Sequence, residues 1–111
     1  MSSAQTSFDS SDPSLRPPKF QRRRDSIFDA ILHLLEDQEA YKIESKDAAA
    51  HRVTAKRNGF GGAHQVEIWV EGEPAGPVSV HMRSSGGSFL DFGQAKRNIR
   101  EFTRLLHHRE S

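Results

Sequence analysis

Apolar and polar positions recur along this chain in two rhythms, and the switch between them marks the elements. From Asp25 or Ser26 onward, Ile27, Phe28, Ile31, Leu32, Leu34 and Leu35 follow helical spacing and form one broad apolar face. Ser26 with Asp29 three residues on reads as a variant capping box and predicts the helix start. Tyr41-Lys42-Ile43-Glu44 then alternates with period two, as a half-buried strand does. Ser45-Lys46-Asp47 predicts a turn. His51 to Arg57 alternates weakly with Val53 and Ala55 inward, while Ala48-Ala49-Ala50 keeps a short helix open as the alternative for this stretch.

Asn58-Gly59-Phe60-Gly61-Gly62 is a turn, after which Gln65 to Glu71 is the clearest strand, with Val66, Ile68 and Val70 on one face. Val78, Val80 and Met82 repeat the pattern beyond Gly72-Glu73-Pro74-Ala75-Gly76-Pro77. Alternation predicts that the two strands pair with Val70 opposite Val78, Ile68 opposite Val80 and Val66 opposite Met82. On the polar side the same register sets Glu67 opposite His81, Gln65 opposite Arg83 and Trp69 opposite Ser79. Ser84 to Ser88 is a loop of small residues. A second helix follows, with Asp91 as N-cap, Gln94 three residues on, and Ala95, Ile99, Phe102 and Leu106 as its apolar stripe.

These elements predict an α+β fold in the order α-β-β-β-β-α, an antiparallel sheet of about four strands flanked by an N-terminal and a C-terminal helix. Both helices are expected on the face carrying Val53, Val66, Ile68, Val70, Val78, Val80 and Met82. The domain is placed at residues 25–109. Residues 1–24 differ in kind: they are rich in Ser, carry Pro13, Pro17 and Pro18, and have only Phe8, Leu15 and Phe20 as large apolar residues. Such a segment buries too little to offset its ordering entropy, so it is read as a disordered arm.

Composition narrows the function classes. The chain has 111 residues, 34% hydrophobic and 28% charged, which allows one domain with a modest core. Cysteine is absent, so disulfides, thiolate metal sites and thiol catalysis are excluded, and the expected location is a reducing intracellular compartment such as the cytoplasm. The Ser- and Arg-bearing N-terminus has some features of an organellar transit peptide, against which Asp9 and Asp12 count. No apolar run approaches the roughly 20 residues of a membrane span. A net charge of +1 gives no global pull toward nucleic acid. Locally, charge is uneven: five acids and no Lys or Arg lie between Asp25 and Glu39, whereas residues 94–109 hold five basic residues against one acid.

Two surfaces are candidates for binding. Lys96, Arg97, Arg100 and Arg104 share one side of the second helix within about 100° and suit phosphate or an acidic partner; as a plain alternative they form a solvated face partly paired with the acidic first helix. The polar sheet face carries Trp69, His81 and Arg83, and a tryptophan among polar neighbours implies partial cover or a stacking surface. Glu67 opposite His81 resembles an acid–base pair, although polar cross-strand neighbours arise on any solvated face. The six histidines form no zincin pair, and no metal ligand set or cofactor site is expected. Gly59 to Gly62 precedes a strand rather than a helix, so the dinucleotide fingerprint fails.

Val80-His81-Met82-Arg83-Ser84-Ser85, the following Gly86-Gly87-Ser88, Asp91-Phe92-Gly93, Arg97 and Ile99 resemble the signature of the domain-of-unknown-function 1499 family. The loop from Arg83 to Asp91 is one residue short of that pattern, and Gly86 or Gly87 stands at the family's second arginine. The resemblance implies that Arg83, Ser84, Asp91 and Arg97 cluster at one strand–loop–helix corner, where they form a structural ion network, the favoured reading, or line a small-anion site. It implies no activity, since the family has none assigned.

The sequence thus points to a non-enzymatic binding or adaptor module whose partner is another protein. Alternatives are a nucleic-acid-binding protein using Arg22, Arg23 and Arg24 with the second helix, and a small-ligand or anion-binding domain. The uncovered sheet face and strand edges leave room for a homodimer.

Overall fold

The computed structural model describes residues 2–59, 62–87 and 93–110. In chain order the elements are β1 (Ser2–Gln5), a 3-10 turn (Pro13–Leu15), β2 (Lys19–Phe20), α1 (Arg24–Asp37), β3 (Tyr41–Asp47), β4 (Arg52–Arg57), β5 (His64–Gly72), β6 (Val78–Gly86) and α2 (Gln94–Glu110). All strand pairs are antiparallel, with the sheet ordered β1-β6-β5-β4-β3 and β2 also on β6. The α+β class stands.

Among the described residues six strands replace the expected four, and two of them precede the first helix. Both come from the segment read as a disordered arm. Composition undervalued that arm because most of its few apolar groups are placed: Leu15 and Phe20 are buried, as are Pro17 and Pro18, and Phe8 alone of the large ones is exposed. Its backbone is matched to an edge that would otherwise be bare.

Both helices lie on the face that alternation makes apolar. α1 packs on β3, β4 and β5, α2 packs on β1 and β6, and the two helices touch each other. Ile27, Ile31 and Leu35 of α1 and Ile99, Phe102 and Leu106 of α2 are essentially fully buried against Val53, Val66, Ile68 and Met82. Burying such side chains contributes about 1.5–3 kcal/mol each, so this layer carries most of the stability.

Local details differ from expectation for identifiable reasons. The Ser26 capping box does not form: Arg23 is the N-cap, with no side-chain cap bond, and the Arg24 amide instead donates to Pro74 O at 3.0 Å. A tertiary contact with the β5–β6 turn has replaced the local cap. Ser45 to Asp47 extend β3 past a bulge between Ile43 and Ser45, and the turn falls at 48–51. That bulge and the charges of Lys42, Glu44 and Lys46 blunt the open β3 edge. The proposed Asp91 cap lies outside the described residues.

The β5–β6 register is shifted by two residues from the expected one. Val70 pairs with Val80, Ile68 with Met82 and Val66 with Ser84. A two-residue slip keeps every side chain on its face, so alternation fixes the face but not the partner. The turn decides the rest, because the ladder closes at Gly72 opposite Val78. Gly76, at φ +85°, lets the backbone of Arg22 come so close that a Cβ there would lie 2.5 Å from Arg22 O.

Candidate functional site

The face of the sheet away from the helices is built in cross-strand rows, because directly paired residues stand beside one another. In one row Arg52 of β4 pairs with Trp69 of β5, which pairs with His81 of β6. Their side chains stack in that order. The Arg52 guanidinium carbon is 4.8 Å from the Trp69 ring centroid, and the Trp69 and His81 rings lie 5.5 Å apart and 12° from parallel. Phe8, from the loop after β1, meets His81 edge-on at 5.4 Å, and Lys19 Nζ lies 5.3 Å from the Phe8 centroid. The row therefore runs across three strands and ends on the N-terminal arm.

Glu71 holds this row from one side. Trp69 Nε1 donates to Glu71 Oε1 at 3.1 Å, and His81 Nε2 lies 3.2 Å from Glu71 Oε2 and 3.0 Å from Ser79 Oγ. A carboxylate oxygen accepts only, so the proton on Nε2 suits this contact. The indole is thus gripped by a cation on one side and an imidazole on the other, with its N–H satisfied.

The next row is ionic. Glu67 bridges two arginines, with Arg52 Nη1 at 2.7 Å from Oε2 and Arg83 Nη2 donating to Oε1 at 2.5 Å. Partial burial alone would raise the Glu67 pKa, but the hydrogen bonds from Arg52 and Arg83 outweigh it and hold the carboxyl below its ordinary value. Beside this trio lies an open hollow of about 430 Å³ lined by Ser3, Thr54, Gln65, Glu67, Arg83 and Ser85. Every lining side chain can donate or accept a hydrogen bond. Arg83 is 52% exposed and Arg52 42%, whereas Glu67 is 22% exposed, so positive charge is the more available to a visitor.

Trp69, His81 and Arg83 therefore do share one face, with Trp69 and His81 in direct contact. Glu67 and His81 are not partners; the register shift gives Glu67 to Arg83 and His81 to Trp69. Arg83 and Ser84 do not share the expected corner. Arg83 points to the open face, while Ser84 is fully buried under α2, where its Oγ accepts from Asn98 Nδ2 at 3.1 Å. Asn98 Oδ1 accepts from Gln94 Nε2 at 2.8 Å, and Gln94 Oε1 in turn accepts from Arg97. Neighbouring strand residues alternate faces, so adjacent Arg83 and Ser84 cannot serve one site. Asp91 lies outside the described residues.

The basic side of α2 is exposed at Lys96, Arg97, Arg100 and Arg104. Its central member already has a carboxylate: Arg100 Nη2 donates to Asp12 Oδ2 at 2.5 Å and its Nε to Ser14 Oγ at 2.8 Å. Asp12 caps the 3-10 turn through Ser14 N and sits at a pKa of about 2, pulled down by the hydrogen bonds from Ser14 and Arg100. The basic run before α1 is also engaged, with Arg22 donating to Glu110 O at 3.1 Å and Arg24 to Gly72 O at 3.0 Å. The acidic and basic helices meet through Asp37 and Arg109 at 3.4 Å.

Sequence reading missed several members. Arg52 and Glu71 complete the Trp69 row, but naming them requires the register. Asn98 is a buried polar residue within the α2 stripe, and its helical spacing to Ala95 and Phe102 was the available signal. His51, at φ +51° and buried, reaches Asp25 Oδ1 with Nε2 at 2.6 Å and stands edge-on to Phe28. That hydrogen bond is the main reason the Asp25 pKa is lowered. Deep at the other end of the sheet, Arg57 pairs with Glu101 at 3.3 Å over the ring of buried Tyr41, whose hydroxyl pKa burial pushes up to about 12.

Among the described residues no group of three or more His, Cys, Asp or Glu side chains is placed to hold a metal. No helix among them is long and apolar enough to cross a membrane. No curated protein and no solved structure matches the chain. The family model described as "Protein of unknown function (DUF1499)" matches residues 1–106, from β1 to the last buried leucine of α2. That span takes in the arm as well as the strand–loop–helix segment that carries the likeness, and the chain belongs to the DUF1499 family.

Proposed function

We propose that this protein is a non-enzymatic binding module, and that its open sheet face receives a second protein presenting acidic side chains. The observation that carries the reading is the grip on Trp69. The only tryptophan of the chain is half-buried on a face that neither α1 nor α2 covers, clamped by Arg52 and His81 and fixed through its N–H to Glu71. A large side chain held in one geometry meets a partner with little further loss of conformational freedom, which is what anchors at interfaces share.

Charge supports the acidic partner. Lys19, Lys42, Arg52, Lys56 and Arg83 stand on this side against Glu44, Asp47, Glu67 and Glu71, and Glu67 is already committed to two arginines. The hydroxyls and carboxamide of the neighbouring hollow add hydrogen-bonding capacity at a polar rim. The α2 surface suits the role less well, since Arg100 is occupied by Asp12 of the same chain.

The test compares partners retained by wild type, Trp69→Ala, Arg83→Glu and Arg104→Glu, each with its fold checked by circular dichroism. The reading predicts loss of the same retained protein from the first two variants and its retention by Arg104→Glu. An unchanged partner set in Trp69→Ala and Arg83→Glu removes the open face from consideration.

A further inference from the structure

The outer edge of β6 is closed by the chain's own first twenty residues. Ser2 to Gln5 pair with Gly86 to Arg83, and Lys19 and Phe20 pair with Ser79 and Val78. Between these contacts Thr6 N donates to Met82 O at 2.9 Å, Met82 N donates to Thr6 Oγ1 at 3.0 Å, and Val80 N donates to Pro18 O at 3.0 Å. The arm thus occupies the edge from end to end. It is tied to α2 as well, by Asp12 on Arg100 and by the Phe20 ring, 5.1 Å from His107.

Three features set this segment apart from the body of the fold. Its large buried apolar side chains are Leu15 and Phe20 alone. Its ion pair is half-exposed, with Asp12 at 36% and Arg100 at 46%. Its connection to α1 runs through exposed Gln21, Arg22 and Arg23, held there by Arg22 through its bond to Glu110 O and its backbone against Gly76. A segment held by so few buried groups detaches at a lower free energy than the core around it. Detachment strips the β6 amides of their acceptors, and a bare strand edge recruits another strand.

We propose that this slot between β6 and α2 also accepts the arm of a second copy of the chain, so that two molecules exchange residues 2–20 reciprocally about a hinge at 21–23. The slot's complementarity to that sequence is already present in the fold: small side chains at Ser3 and Ala4, a hydroxyl at Thr6 for Met82, a carboxylate at Asp12 for Arg100, and rings or branches at Leu15 and Phe20. Every one of these contacts is regenerated in the exchanged dimer, and only the hinge changes conformation. The exchange is isologous, so it closes at two copies rather than growing into a fibre.

The absence of cysteine makes the test clean. Ser3 and Ser85 are direct cross-strand partners. A chain carrying both Ser3→Cys and Ser85→Cys closes an internal disulfide and checks the register. Two full-length single variants, Ser3→Cys and Ser85→Cys, are then mixed at high concentration under mild oxidation. The expected product is a mixed disulfide of twice the chain mass, several-fold above the covalent dimer from either variant alone, and more abundant still when Asp12→Asn is added to both. A mixture that yields no more dimer than the separate variants, while the double variant closes internally, overturns the proposal. Failure of the double variant to close overturns it too, since the slot would not have this register. A synthetic peptide of residues 2–20 with Ser3→Cys serves as the rival occupant. Its capture by the Ser85→Cys chain without any chain-to-chain bridge assigns the slot to a separate peptide and rejects the exchange.

Discussion

The two faces of one sheet are made by the same strands yet held together by different physics. Toward the helices, Val53, Val66, Ile68, Val70, Val80 and Met82 interlock with α1 and α2, and their contribution scales with area and volume removed from water. Away from the helices, Arg52, Trp69, His81, Glu67 and Arg83 hold one another in cross-strand rows, where each contact is small and partly screened. Alternation writes both faces into the same strands. The contrast teaches that the open face can be changed at modest cost to stability, which leaves it free to vary for recognition.

Breaking the packed face should therefore cost most. Phe102, 1% exposed beneath α2, leaves a cavity when truncated, and Phe102→Ala is expected to lose about 3–5 kcal/mol in urea unfolding. Asn98→Leu comes next. It keeps the volume but leaves the buried Ser84 Oγ without its donor, an expected loss of about 1–3 kcal/mol by the same measurement.

The open face should respond more weakly. Trp69→Ala removes a stack and a hydrogen bond but no sealed core, and about 0.5–1.5 kcal/mol is expected. A loss as large as that of Phe102→Ala would erase the distinction between the faces.

Acid sharpens the comparison at the smallest scale. The Glu67 pKa is lowered in the folded protein, so its contribution is present above the ordinary glutamate value of 4.5 and is lost as pH falls through the lower, folded value. Glu67→Gln should flatten that part of the acid limb, by about 1 kcal/mol at most for a pair this exposed. The same sign holds for Asp12, whose pKa falls from 3.8 to about 2. Between those values the arm should loosen from Arg100, seen as lower amide protection, relative to the intrinsic rate at each pH, at Thr6 and Val80 in wild type. Asp12→Asn should show the lower protection already at neutral pH.

Much of this architecture was legible in the residues. The helical spacing of Ile27 to Leu35 and of Ala95 to Leu106, and the alternation through Ile68 and Val80, gave the two helices, the core strands and their inward faces. The partners across strands were not legible, because a slip of two residues preserves every face; Arg52 could not be joined to Trp69, nor His81 freed from Glu67, without the ladder. The arm was lost for another reason. Averaged composition cannot see that Leu15, Phe20 and one hydroxyl at Thr6 each meet a specific complement on β6 or α2. The family likeness located residues 80–100 but implied a corner that strand geometry forbids, since Arg83 and Ser84 face opposite ways.

Trp69 is the sole tryptophan, so its fluorescence reports on the open face alone. The most direct measurement is its emission while the protein retained by wild type is titrated in, alongside Arg83→Glu and Arg104→Glu. A saturable shift in wild type and Arg104→Glu, absent in Arg83→Glu, is the predicted result. Binding that saturates by an independent readout while the Trp69 emission stays unchanged would place the partner elsewhere and contradict the account.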